Sequence, residues 1–193
     1  MPCSGMVERK APIPTALAFL THPVVVEACW LSYWSRWQVG WIIGSFVLLV
    51  GISGALYAWA RYKKRDIVLI LGSERQFMLL WHLIAVGILW GAVTEPLLYL
   101  WLSFFLWMSL WGLVWRLWRE YSFHVYGWAG FLGFYTGYVR HYPISVLLLL
   151  GMVVGVAYLR YWQKAHSLPE LWRGGLGGFV AGLGYVGFHT LMG

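Results

Sequence analysis

Charge is scarce in this chain: Asp, Glu, Lys and Arg make up 11% of its 193 residues, against about 25% in soluble domains. Acidic residues are scarcer still, 7 in all. There are two cysteines, Cys3 and Cys29, which exclude a disulfide framework and form no metal-ligand spacing. Low-complexity tracts and internal repeats are missing. The first residues lack an apolar core followed by a small-residue cleavage site, so no cleavable leader is expected. These absences exclude a soluble globular domain, a disordered chain and a disulfide scaffold.

Apolar residues supply 61% of the chain, with 15 Trp and 12 Tyr, and mean hydropathy is +0.67. At roughly 20 residues per membrane-spanning helix, six or seven spans leave room for little else. The expected architecture is all-α: a single integral membrane domain, 1–193, built as a polytopic helical bundle. A weak first span covers about 14–34, interrupted by His22, Pro23 and Glu27. Further spans cover about 40–59, 76–93, 97–115, 124–138, 144–158 and 174–192. Thr94-Glu95-Pro96 marks a turn. Gly174, Gly178 and Gly182 recur every four residues, a small-residue stripe that lets helix backbones approach.

The net charge of +7 points to membrane topology and anionic headgroups rather than to nucleic acid. If all seven stretches cross, Arg9, Lys10, Arg61, Lys63, Lys64, Arg65, Arg75, Arg116, Arg119, Arg160, Lys164 and Arg173 share one side, and Arg36 and Arg140 the other. That asymmetry predicts that the basic loops are cytoplasmic, in what is expected to be a bacterial inner membrane.

Ionisable residues in or beside a span are costly and mark function by default. Arg75, His124, Arg160, His166 and Glu170 lie in three loops that this topology brings to one membrane face. Arginine forks match phosphate oxygens bidentately. A histidine oriented by a carboxylate is a nucleophile, and a second histidine can protonate a leaving alkoxide. His166 and Glu170 are four residues apart, so one helical turn brings them to one face. Ser122, two residues before His124, sits where a helix N-terminus would add amide donors toward an anion. No carboxylate cluster suited to magnesium is present.

Ser122-Phe123-His124, and Arg160-x5-His166-x3-Glu170 near the last span, resemble the second and third motifs of the type 2 phosphatidic acid phosphatase superfamily, in a divergent bacterial form. The usual patterns are Pro-Ser-Gly-His and Ser-Arg-x5-His-x3-Asp. Here Phe123 replaces the glycine, Leu159 the serine and Glu170 the aspartate. In the first motif, Lys-x6-Arg-Pro, Arg75 stands for the arginine, Val68 falls at the lysine and Gln76 at the proline. Thr21-His22-Pro23 is similar to the first helix of that branch.

The resemblance implies a helical membrane enzyme with a six-span core that removes phosphate from a lipid monophosphate or diphosphate without metal. Carried over, His166 is the nucleophile, Glu170 orients it and His124 is the general acid. Arg160 and Arg75 hold the phosphate, assisted by Ser122. No cofactor is implied. The implied partners are a lipid phosphate substrate and anionic membrane lipids, with membrane protein partners or a homo-oligomer left open, and no nucleic acid.

Plainer readings stand beside these. Arg75 serves equally as a topology determinant. Glu170, just after Pro169, is a good helix-start residue. His124 at a span start reads as an interfacial cap, and Glu95 as a solvated turn residue. His22, His82, His141 and His189 show no paired spacing for haem, and His82 reads as a packed polar residue. Glu27 is a candidate for proton or ion movement. The competing function is a catalytically silent structural subunit of a larger membrane complex. A transporter needs a polar path near the bilayer midplane, whereas the polar residues here gather at one surface.

Overall fold

The structure, a computed structural model, describes residues 22, 25–29, 40, 43–44, 46–51, 55, 72–138 and 143–192, with the side chains of 72–79 outside that description. Five long helices follow one another: α1 (Gly72–Ala92), α2 (Pro96–Trp118), α3 (Phe123–Tyr138), α4 (Pro143–Trp162) and α5 (Leu168–Met192). The expected spans 14–34 and 40–59 lie largely outside the described residues. Within them, residues 25–29 are helical and Phe46–Gly51 forms a π-helical turn. The described residues contain no strand, so the fold class is all-α. Among the described residues two helices, α2 and α4, are long and apolar enough to cross a membrane.

Local chemistry sets the helix ends. Glu95 is the N-cap of α2, its carboxylate accepting the Leu98 N–H at 2.8 Å, and Pro96 occupies the first turn, where its missing N–H costs nothing. Glu95 is thus a half-buried cap within the turn. The short break at 93–95 folds α2 back along α1, with Trp90 packed on Tyr99.

The most extensive helix pair is α3 with α5, and the glycine stripe explains it. A Cβ on Gly174 would lie 2.6 Å from the Ser122 carbonyl oxygen. Side chains on Gly178 and Gly182 would overlap the backbones of Tyr126 and Gly130. Successive α5 glycines therefore meet successive turns of α3, and the two helices run parallel. Around this seam Trp101, Phe104 and Phe105 of α2 pack with Phe131 and Phe134 of α3 and Tyr185 of α5. Much of α4 faces outward: Ile144, Leu147, Leu148, Val154 and Tyr158 are all exposed.

Because α3 and α5 are parallel, their N-termini share one end of the bundle. The Tyr121 hydroxyl donates to the Gly112 carbonyl at 2.8 Å and Arg173 reaches the Glu120 carbonyl at 3.4 Å. These bonds bring the C-terminus of α2 to the same end. The connections 119–122 and 163–167 are therefore neighbours.

Candidate functional site

The site is built on the connection from α4 to α5, which is capped at both ends. α4 runs to Trp162, past the 158 boundary expected from hydropathy, so Arg160 sits on its last turn rather than in a loop. Closure follows a Schellman pattern: Lys164 N–H donates to the Tyr161 carbonyl at 2.8 Å and Ala165 N–H to the Arg160 carbonyl at 3.1 Å. Lys164 takes the left-handed conformation this requires, with φ 52°, where glycine is the usual residue. α5 starts at Leu168, well before Gly174. Ser167 precedes it, and Glu170 reaches back to accept the Ser167 N–H at 3.0 Å, half of a capping box.

Between these caps lies His166, buried at 9% exposure. Its Nδ1 meets Glu170 Oε2 at 3.1 Å. The carboxylate thus does two jobs, capping α5 and holding the imidazole. Partial burial raises the Glu170 carboxyl, but the Ser167 N–H and the hydrogen bond and charge of His166 offset this and hold it below its ordinary value. Arg160, also buried, donates from Nη1 to Gln163 Oε1 at 2.9 Å, which fixes one edge of the guanidinium. An open groove of about 570 Å³, lined by Tyr158, Tyr161, Trp162, Lys164, His166 and Ser167, gives access from the apolar face of α4.

Ser122 joins this unit from the other connection. Its N–H donates to the Glu170 carbonyl at 3.1 Å. It is fully buried, and its Oγ has no hydrogen-bond partner. His124 lies in the first turn of α3, its ring edge-on to His22 with centroids 4.7 Å apart. Arg75 lies in the first turn of α1, and its side chain is outside the described part of the structure. Of the sequence-predicted residues, His166, Glu170 and Ser122 are therefore joined by hydrogen bonds, Arg160 sits on the preceding helix turn bonded to Gln163, and His124 lies two residues after Ser122 on α3.

Sequence reasoning did not foresee Gln163, Ser167 or His22 as parts of this site. Nor did it foresee that His82 and Glu27 form a buried pair, His82 Nε2 to Glu27 Oε2 at 3.0 Å. The available signal for the last three was that each interrupts an apolar stretch, which is costly unless the residue is paired. Among the described residues no group of three His, Cys, Asp or Glu could hold a metal ion.

No family model matches this chain, and no curated protein and no solved structure is significantly similar to it.

Proposed function

We propose that the protein is an integral membrane lipid phosphatase of six to seven spans, with a core like that of the type 2 phosphatidic acid phosphatases. The observation that carries this reading is the His166–Glu170 contact at 3.1 Å, on the connection that follows Arg160 and open to a groove lined by Tyr158, Tyr161 and Trp162 of α4. With Nδ1–H held by the carboxylate, Nε2 of His166 presents its lone pair and attacks the phosphorus of a lipid phosphate monoester or diphosphate. The bond from phosphorus to the leaving oxygen breaks, and His124 delivers its proton to that oxygen. Water, giving a proton back to His124, then cleaves the phosphohistidine and restores His166. Arg160 and Arg75 neutralise the phosphoryl oxygens, and Ser122 lends its hydroxyl. The reaction needs no group beyond these side chains and water.

The setting supports a substrate that stays in the bilayer. α2 and α4 have the length and composition of spans, and the groove beside His166 carries Tyr158 and Trp162, rings suited to the headgroup level. The charge asymmetry of the loops supports a cytoplasmic side for the basic helix ends, in a bacterial inner membrane. A silent structural subunit is the competing reading, favoured by the capping role that explains Glu170 without catalysis.

Phosphate release by the purified protein in detergent with EDTA, over a panel of lipid mono- and diphosphates, tests the proposal. The expected result is turnover that survives EDTA and is lost in His166→Ala and His124→Ala. A folded, monodisperse protein that releases no phosphate from any of the lipids decides for the subunit.

A further inference from the structure

His22 has no part in the chemistry above, yet it lies against it. It precedes the helical residues 25–29, and its ring meets that of His124 edge-on, planes at 82°. On its other side it packs near Phe123, centroids 5.8 Å apart. Both Arg160 and His82 lie close enough for their charge to act on it. His22 thus lies against His124 of α3 and within electrostatic reach of Arg160 on α4 and of His82, which pairs with Glu27.

That pair is itself unusual. Glu27 and His82 are both buried, and Glu27 Oε1 has no hydrogen-bond partner. The two residues line a cavity of about 30 Å³ together with Ser109 and aromatic rings, enough for a water molecule. His22 is therefore close to three further groups able to carry positive charge: His124, Arg160 and His82. Two imidazoles and a guanidinium brought together from different elements repel one another whenever the imidazoles are protonated. A phosphate dianion removes that repulsion, because it accepts from all of them at once.

We propose that His22 is a further phosphate-contacting residue of this site, donating a ring N–H to an oxygen of the phosphate ester that Arg160 holds and His124 protonates. The inference rests on the phosphate-ester reading of the site and adds a residue that comes from the opposite end of the chain. It also gives His22, which interrupts the first apolar stretch of the sequence, a purpose.

The test uses the full-length protein in detergent. Binding of inorganic phosphate is measured by calorimetry, and phosphate release from phosphatidic acid in mixed micelles is followed in parallel. The variants are His22→Ala, His22→Gln and His22→Phe, with His189→Ala, an exposed histidine in the last turn of α5, as control. His22→Ala and His22→Phe are expected to weaken phosphate binding and raise KM by about tenfold, the loss of one charge-assisted hydrogen bond. His22→Gln, which retains an N–H donor, recovers part of this, and His189→Ala matches the wild type.

His22→Phe keeps a ring against His124 and Phe123. If it elutes and unfolds like the wild type and still binds phosphate within twofold of it, the inference is overturned. Should the wild type release phosphate while the His22 variants are indifferent, the inference falls and the phosphatase reading stands. Phosphate binding that depends on His22 in a protein that releases none has the opposite meaning. A wild type that neither binds nor releases phosphate overturns both.

Discussion

The backbone N–H of Ser122 donates to the backbone carbonyl of Glu170 at 3.1 Å, stapling the entry of α3 to the first turn of α5. The two connections that carry the candidate chemistry are 48 positions apart in sequence, and this bond makes them one unit. It sits at the head of the parallel α3–α5 seam, where Gly174 lets the Ser122 carbonyl approach. Packing of the seam and geometry of the site are therefore linked.

Glu170→Gln should lower stability and flatten its dependence on acid pH. The native carboxyl is held below its ordinary value, so the unfolded chain takes up the proton first as pH falls. The stabilisation is then present above the ordinary glutamate range, near pH 4.3, and is lost as pH drops through the native value. Thermal unfolding in detergent from neutral to acid pH should show the wild type losing ground to the variant on the acid side. Equal slopes for the two would mean the carboxylate is not held by Ser167 and His166.

Gly178→Ala and Gly182→Ala should each destabilise by about 1–3 kcal/mol or more, as overpacking does. The obstructing atoms are backbone, of Tyr126 and Gly130, and cannot swing away. Gly187, with nothing within 4 Å of its virtual Cβ, is the control. Gly187→Ala should be neutral or stabilising by up to about 1 kcal/mol, the difference in helix propensity. Unfolding midpoints of the three variants, compared side by side, check the seam.

Lys164→Gly should raise stability by roughly 1 kcal/mol, because an L side chain in the left-handed region carries that cost and the Schellman turn prefers glycine. The turn's two backbone hydrogen bonds do not involve the lysine side chain and should persist. If the variant is instead less stable, the ammonium contributes more than the strain takes away, and phosphate-release kinetics would show whether it also serves the groove.

His82→Leu should cost about 1–3 kcal/mol, since it leaves the Glu27 carboxyl buried with neither oxygen paired. The double variant Glu27→Leu/His82→Leu should recover most of that loss, as apolar replacement of both partners generally does. A double variant as unstable as the sum of its singles would show that the two residues do not act as a pair.

Much of the site was legible because its signals are local. The spacing of His166 and Glu170 is a property of any helix start, and Glu170 reads from the sequence as a helix-start residue, as its bond to the Ser167 N–H shows. The glycine stripe told that α5 packs closely against something. It did not tell that the partner is α3, because a stripe of small residues fits any neighbour of matching shape. His22 was marked as a break in an apolar run and as part of Thr21-His22-Pro23, never as a neighbour of His124. Its ring contact with His124 joins positions 102 residues apart, and no periodicity carries information across that distance.

What the sequence determined alone is what composition and short-range spacing control: helix without strand over the described residues, and most ends of the five long helices to within a few residues. The tertiary structure decided the pairings: α3 parallel to α5, Ser122 against Glu170, Glu27 against His82, and His22 against His124. The physical reason is that helix formation depends on neighbours within about four residues, whereas helix association depends on surface shape and on buried polar groups finding partners. Those partners are known only once the helices have met.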